Sequence, residues 1–159
     1  MDDDRVMHLD SRAQYAEQLA ALIARSQASL HIFDPDAAIF PLGNKDIDAL
    51  LRHFLRRGGT LQLALHSAAY VERHYPRFLR LAQDFSHLVS VRLTPRTLHT
   101  LSDSFCIGDG VHLLRRYHSD HLRGEAVFDA PLSTEISVER FGAIWSDSLP
   151  GLATSTTGL

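Results

Sequence analysis

Lysine is almost absent from this chain. Lysine and arginine together number 16 among 159 residues, and Lys45 is the only lysine. The basic side chains are therefore nearly all arginines, which suit planar, bidentate binding of phosphate or carboxylate groups. A catalytic site that needs a lysine two residues after a histidine is excluded, because no such pair occurs.

Cysteine and long apolar runs are also scarce. The single cysteine, Cys106, excludes an internal disulfide and predicts a reducing, cytoplasmic location. No apolar run approaches the roughly 20 residues that a membrane-spanning helix needs. The acidic residues 2–4 are not followed by a hydrophobic segment, so we expect no secretory signal. A net charge of −3 gives no overall attraction to nucleic acid, which is a less favoured partner than a small anion.

Helical and strand-like patterns alternate along the chain. Ser11 and Gln14 have the spacing of a capping box. Helices are predicted over 11–26, 47–57, 76–85 and 134–147, the last with Val138, Phe141 and Trp145 on one face. Apolar strands are predicted over 29–33, 60–66, 88–93, 104–107, 111–114 and 125–128. This order predicts a single α/β domain over 11–149, with a mixed β-sheet between helical layers. We expect residues 1–10 to be a flexible N-terminus and 150–159 a disordered tail.

Residues 102–109 read Ser-Asp-Ser-Phe-Cys-Ile-Gly-Asp and precede a Gly110 turn. Together with the arginine-glycine turn at 57–58, the Gly124-Glu125 strand and the closing helix with Phe141, this segment resembles one half of a phospholipase D-like protein. The signature of that superfamily is His-x-Lys-x4-Asp. The resemblance covers residues 11–149 and places Ser102, Ser104 and Asp109 at the three signature positions.

The resemblance implies a fold whose usual chemistry is missing. In active members the histidine attacks phosphorus and the lysine binds the phosphoryl oxygens. A serine hydroxyl is a poor nucleophile without a positioned base and carries no positive charge. We therefore expect a pseudoenzyme with vestigial signature positions, no catalytic residue, no metal and no cofactor. Members of the superfamily that carry one signature per chain bring two signatures together across a twofold axis. The resemblance therefore also implies a homodimer.

Basic residues follow the signature at the predicted hairpin. Arg115, Arg116, His118, His121 and Arg123 are the candidate anion-binding residues. Strand alternation points Arg115 and Arg116 to opposite faces, so at most one of them reaches the pocket. The lead hypothesis is a non-catalytic domain that binds an anionic or phosphate-bearing small molecule near the vestigial active site.

Several alternatives stay open. Ser102, Ser104 and Cys106 alternate, and they form either a pocket floor or, as we favour, a small-residue face packed against a neighbour. The spacing of Arg73, Arg77 and Arg80 predicts that the three side chains share one face of a helix. We favour the interpretation that this face is simply exposed to solvent. The domain as a whole is alternatively a structural module with a protein partner. The third hypothesis is a divergent phosphodiesterase or nuclease that uses His118 and His121.

Overall fold

The first long element is helix α1, Arg12–Arg25, in a computed structural model that describes residues 5–152 of the chain. The Gln14 amide donates a hydrogen bond to Ser11 Oγ, and the Gln14 side chain accepts one from the Ser11 amide. These are the two bonds of the predicted capping box, and they fix the start of the helix. The helix ends where Ser26 takes an extended conformation.

Eight strands and five helices lie within the described residues. The strands are β1 (Met7–Leu9), β2 (Ser29–Asp34), β3 (Thr60–Leu65), β4 (Val89–Leu93), β5 (Ser104–Gly108), β6 (His112–Arg116), β7 (Gly124–Val127) and β8 (Leu149–Pro150). The helices after α1 are α2 (Lys45–Arg56), α3 (Ala69–His74), α4 (Pro76–Asp84) and α5 (Pro131–Asp147).

All eight strands join one sheet, in the order β1-β7-β6-β5-β2-β3-β4-β8. Strands β2, β3 and β4 are parallel, and every other pair is antiparallel. Parallel strands need crossover connections, which α2, α3 and α4 supply. The predicted mixed sheet is therefore confirmed.

The sheet is covered on both faces. One face carries the larger core, where Leu22 of α1, Leu51 of α2 and Phe78 of α4 are completely buried. The other face packs against α5, through Phe33, Phe105 and Phe141 among others. The structure confirms an α/β fold with a mixed sheet between helical layers. No helix within residues 5–152 is long and apolar enough to cross a membrane.

The sheet extends further toward both ends of the chain than the sequence predicted. Met7–Leu9 pairs with β7 as an edge strand, where a flexible N-terminus was expected. Leu149–Pro150 pairs with β4, so ordered pairing reaches into the predicted tail. Residues 153–159 of that tail and residues 1–4 lie outside the described residues.

Two helix predictions need correction. Helix α5 begins at Pro131, and its buried residues include Thr134 and Phe141, whereas Val138 is 39% exposed. Arg73 does not share a helix with Arg77, because Pro76 starts a new helix, α4, after α3 has ended at His74. Proline is accepted in the first turn of a helix but not in its interior, which explains the break.

Asp109 holds the β5–β6 turn against the start of β2. Its carboxylate accepts hydrogen bonds from the amides of Gln27, Ala28 and Ser29, at 2.9, 2.8 and 3.1 Å. Its backbone has φ 53°, the left-handed region. Burial acts to raise the pKa of Asp109, but the three backbone amides together outweigh it and hold the pKa below its usual range. Asp109, which the resemblance places at the aspartate of the signature, is thus a structural clamp in this chain.

Replacement of Asp109 tests the clamp. We expect Asp109→Ala to lower the free energy of unfolding by about 2–4 kcal/mol, because three amides lose a charged acceptor and alanine disfavours the left-handed backbone. Asp109→Gly keeps the backbone conformation, and Asp109→Asn keeps one acceptor oxygen, so both should cost less. Urea denaturation followed by circular dichroism measures all three. Equal stability of the alanine variant and the wild type would contradict the assignment.

Candidate functional site

The three signature positions do not converge on one site. Ser104 begins β5 and Asp109 follows its other end, so about 17 Å of extended strand separates them. Ser102 precedes the strand and is half-buried, so it does not share a strand face with Ser104 and Cys106 as predicted. Asp103, between the two serines, is bound by Arg140 of α5 at 2.5 and 3.0 Å.

Ser104 is the centre of a buried polar cluster. Its side chain is completely buried, and its hydroxyl donates a short hydrogen bond to Asp34 Oδ1 at the end of β2. Asp34 is also completely buried, and its other oxygen accepts from the amides of Asp36 and Ala37. Ala37 has φ 69°, so this carboxylate holds the following loop in an unfavourable backbone conformation.

Arg116 completes what we name the signature cluster, Asp34, Ser104 and Arg116. The β5–β6 register places Arg116 directly opposite Ser104. Its Nη2 donates to Ser104 Oγ at 3.3 Å and lies 3.8 Å from Asp34 Oδ1. The residue is 7% exposed, and its Nε has no hydrogen-bond partner among the described residues. A guanidinium and a carboxyl group are therefore enclosed together.

Burial has a large effect on the Asp34 carboxyl. It raises the pKa of Asp34 to about 6, although the Ser104 hydroxyl and the Asp36 amide favour the charged form. An uncompensated charge would be costly at this depth, so the nearby guanidinium and the hydrogen-bond donors are what allow an ionised form.

Helix α1 closes the cluster. Gly124 of β7 pairs with Arg116, and a side chain at 124 would collide with the hydroxyl of Tyr15 from α1. That hydroxyl donates to the Leu122 carbonyl at 2.9 Å, and burial raises the pKa of Tyr15 to about 12. The sequence led us to expect that small serines leave an open pocket. At Ser104 the structure differs, because Arg116 and the α1 helix fill the space.

Arg115 points to the other side of the sheet from Arg116, as alternation predicted. Its Nε and Nη2 bind Glu125 Oε1 at 2.8 and 2.5 Å, and its guanidinium lies 5.2 Å from the centre of the Tyr117 ring. The Arg115 side chain is 44% exposed. Its charge is matched by Glu125, which leaves it poorly placed to attract an anion.

The histidines after the hairpin are bound to their own loop. His118 Nδ1 accepts from the Asp120 amide at 3.1 Å, and His121 Nδ1 accepts from the Arg123 amide at 3.2 Å. Within residues 5–152, no group of three or more histidine, cysteine, aspartate or glutamate side chains is placed to hold a metal ion. Cys106 is completely buried, and burial raises the pKa of its thiol, so it offers no thiolate nucleophile.

An open cavity of about 320 Å³ lies beside the signature cluster, and we name it the rim cavity. Its lining residues are His8, Leu9, Asp10, Gln14, Tyr117, Arg123 and Gly124. Of the predicted site residues, only Arg123 lines it. His8 and Asp10 were missed because they belong to the edge strand β1 and the residue after it, which no sequence pattern marked. Asp34 was missed as well, although an Asp-Pro-Asp run directly after a strand was a visible signal.

Residues 11–153 match the family described as Domain of unknown function (DUF7931). The chain belongs to this family. No curated protein matches the sequence.

Solved structures resemble the chain in fold. Nuc from Salmonella typhimurium, a phospholipase D family member, has a TM-score of 0.68 at 13% identity, with 93% of this chain and 98% of Nuc covered. NucT from Helicobacter pylori has a TM-score of 0.60 at 10% identity, with 92% and 98% covered. TrmBL2, an archaeal chromatin protein with a novel mode of DNA binding, has a TM-score of 0.68 at 10% identity. The match covers 92% of this chain and 54% of TrmBL2, about half its length. These likenesses support the phospholipase D-like fold.

Moving the buried cation from β6 to β5 tests the signature cluster. We expect Ser104→Lys to destabilise the protein by about 3–5 kcal/mol, because a second cation is buried beside Arg116. The double variant Ser104→Lys/Arg116→Ser returns one cation opposite Asp34 and should recover much of that loss. Urea unfolding of the four proteins in this double-mutant cycle, with Arg116→Ser as the single control, gives the coupling. Additive effects would show that the two positions do not interact.

Proposed function

We propose that this chain is a non-catalytic phospholipase D-like domain that binds a small, phosphate-bearing anion in the rim cavity, beside vestigial signature positions. The observation that carries the proposal is the burial of Ser104. The resemblance aligns this residue with the phosphate-binding lysine, yet it is completely buried and bonded to Asp34.

The absence of turnover follows from access. Asp34 accepts a hydrogen bond from the Ser104 hydroxyl, and a carboxylate in this position is the kind of partner that activates a serine. Neither side chain meets solvent, so a phosphodiester has no path to the hydroxyl. Ser102 is half-buried, and its side chain makes no hydrogen bond to a base among the described residues.

Binding is supported by the rim cavity. Arg123 is exposed there, and its side chain forms no ion pair within residues 5–152. His8 also lines the cavity and adds an imidazole, and Tyr117 lines it with a hydroxyl that donates to Glu125 at 3.3 Å. A charge-assisted hydrogen bond from an arginine contributes about 1.5–3 kcal/mol. Asp10, another lining residue, disfavours a highly charged ligand and therefore favours a single phosphate group.

Calorimetry against inorganic phosphate, mononucleotides and a short single-stranded oligonucleotide tests the binding. We expect a phosphate-bearing small molecule to bind, and Arg123→Ala to weaken that binding at least tenfold, since the variant removes the charged donor. Arg96→Ala is the matched control, because Arg96 is equally exposed but lies outside the cavity. The oligonucleotide is included because TrmBL2 binds DNA.

The outcomes separate the hypotheses. The binding proposal would be wrong if no ligand of the panel bound, or if Arg123→Ala and Arg96→Ala lost the same affinity. Turnover of a chromogenic phosphodiester above background, lost in Asp34→Asn, would overturn the non-catalytic assignment in favour of a divergent phosphodiesterase.

A second candidate function is protein interaction through α5. Leu132 and Ile136 lie one turn apart on this helix and are 77% and 72% exposed. Large apolar side chains exposed side by side favour a protein partner. The resemblance points to a second copy of this chain as that partner, because single-signature members pair across a twofold axis.

Light scattering at about 100 μM tests this candidate. We expect a dimer that Ile136→Glu shifts toward the monomer, because a carboxylate would be buried without a partner at the interface. Ser146→Glu adds the same charge at an exposed position of the same helix, ten residues or about 15 Å beyond Ile136, and should leave the dimer intact. A wild-type monomer at this concentration would remove the homodimer.

A further inference from the structure

A cavity of about 590 Å³ lies between α2 and the start of α4, and we name it the arginine cavity. Its lining residues are Gly43, Asp48, Arg52, His74, Pro76, Arg77 and Arg80. None of them belongs to the signature cluster or the rim cavity. Its volume is within the range of small-molecule sites.

One of the three arginines is fixed in place. Arg52 Nε binds Asp48 Oδ2 at 3.0 Å, and Arg52 Nη1 binds Asp84 Oδ2 at 2.9 Å. These bonds leave its Nη2 without a carboxylate. The second oxygen of Asp48 is buried without a hydrogen-bond partner among the described residues, and Asp48 lines the cavity, so its charge offsets part of that of Arg52. Arg52 therefore contributes a fixed donor with little net charge.

The positive charge of the cavity comes from α4. Arg77 Nη1 binds only the neutral Gly43 carbonyl, at 3.3 Å. Arg80 forms no ion pair within residues 5–152 and is exposed. Two guanidinium groups three residues apart lie on the same face of the helix, so one ligand can contact both. His74 adds a further donor.

The start of α4 adds to the attraction for an anion. Pro76 is at the first helical turn, and no side chain caps the helix in front of it. Amides of a first turn without such a cap, together with the helix dipole, favour negative charge. Pro76 has no backbone N–H to donate, so among the lining residues of this turn the free amide is that of Arg77, in the same region as the guanidinium groups.

We infer that the arginine cavity binds a phosphate monoester of a small polar molecule. A monoester presents three terminal oxygens, which match the forked donors of Arg77 and Arg80. No phenylalanine, tyrosine or tryptophan lines the cavity, so the His74 ring is its only aromatic surface and the cavity favours a small polar molecule over a base. The carboxylates of Asp48 and Asp84 balance part of the charge, which favours a single phosphate over a polyphosphate.

Calorimetry with glycerol 3-phosphate and with glycerol as the uncharged comparison tests this site. We expect Arg77→Ala/Arg80→Ala to weaken glycerol 3-phosphate binding at least tenfold and glycerol to show no binding. The matched control is Arg57→Ala/Arg96→Ala, which removes the same charge from exposed positions outside the cavity and should change the affinity less than twofold. Arg77→Lys/Arg80→Lys keeps the charge but loses the forked donors of the guanidinium groups. Its affinity for glycerol 3-phosphate should fall between those of the two double alanine variants.

The Arg123→Ala variant distinguishes binding in the rim cavity from binding in the arginine cavity. In the Arg123→Ala protein the arginine cavity should still bind glycerol 3-phosphate with unchanged affinity, so the failure of one site does not count against the other. Circular dichroism confirms that each variant is folded.

Three results would overturn the inference. They are no binding by the wild type at millimolar ligand, equal losses in the two double alanine variants, and loss of all binding in Arg123→Ala alone. Tighter binding of a hexanucleotide than of glycerol 3-phosphate through Arg77 and Arg80 would assign the cavity to nucleic acid and would also overturn it.

Discussion

A buried carboxylate, Asp34, is the group on which the signature end of the sheet depends. One carboxylate oxygen accepts a hydrogen bond from the Ser104 hydroxyl, and the other accepts hydrogen bonds from two backbone amides of the loop after β2. Without it, Arg116 would be a buried cation without a counter-ion, and the loop amides would lose their acceptor. Either defect is costly in a region that excludes water, because solvent cannot replace the lost partner. The loop, the start of β5 and the end of β6 are therefore held by a single side chain.

The buried cation lies at a different position from the one that the resemblance implies. By the resemblance, the lysine position is on β5, where a cation faces the substrate. In this chain the cation is Arg116, one strand further along, and its guanidinium reaches back to Ser104. Positive charge thus remains close to the same place, but it is directed inward to Asp34. A charge satisfied by an internal carboxyl stabilises the fold and is not available to a substrate.

The sequence predicted what local patterns determine. The capping box predicted the start of α1, and the alternation of side chains along a strand predicted that Arg115 and Arg116 point in opposite directions. Gly110 marked the turn after Asp109. It did not predict β1 or β8, because edge strands of two or three residues depend on the partner they pair with. It also did not predict the signature cluster. Asp34 and Ser104 are 70 residues apart, and only the register of β2 against β5 brings them together.

Two carboxylates hold the two ends of the central strand β2, and they have different relations to the signature. Asp109, a signature residue, binds the amides at the start of β2, while Asp34 holds its end. The Asp109 bonds involve only backbone amides and do not depend on the side chains at 102 and 104. Asp109 is therefore a structural clamp that supports the sheet by itself, and its contribution to the fold is the same whichever residues occupy positions 102 and 104.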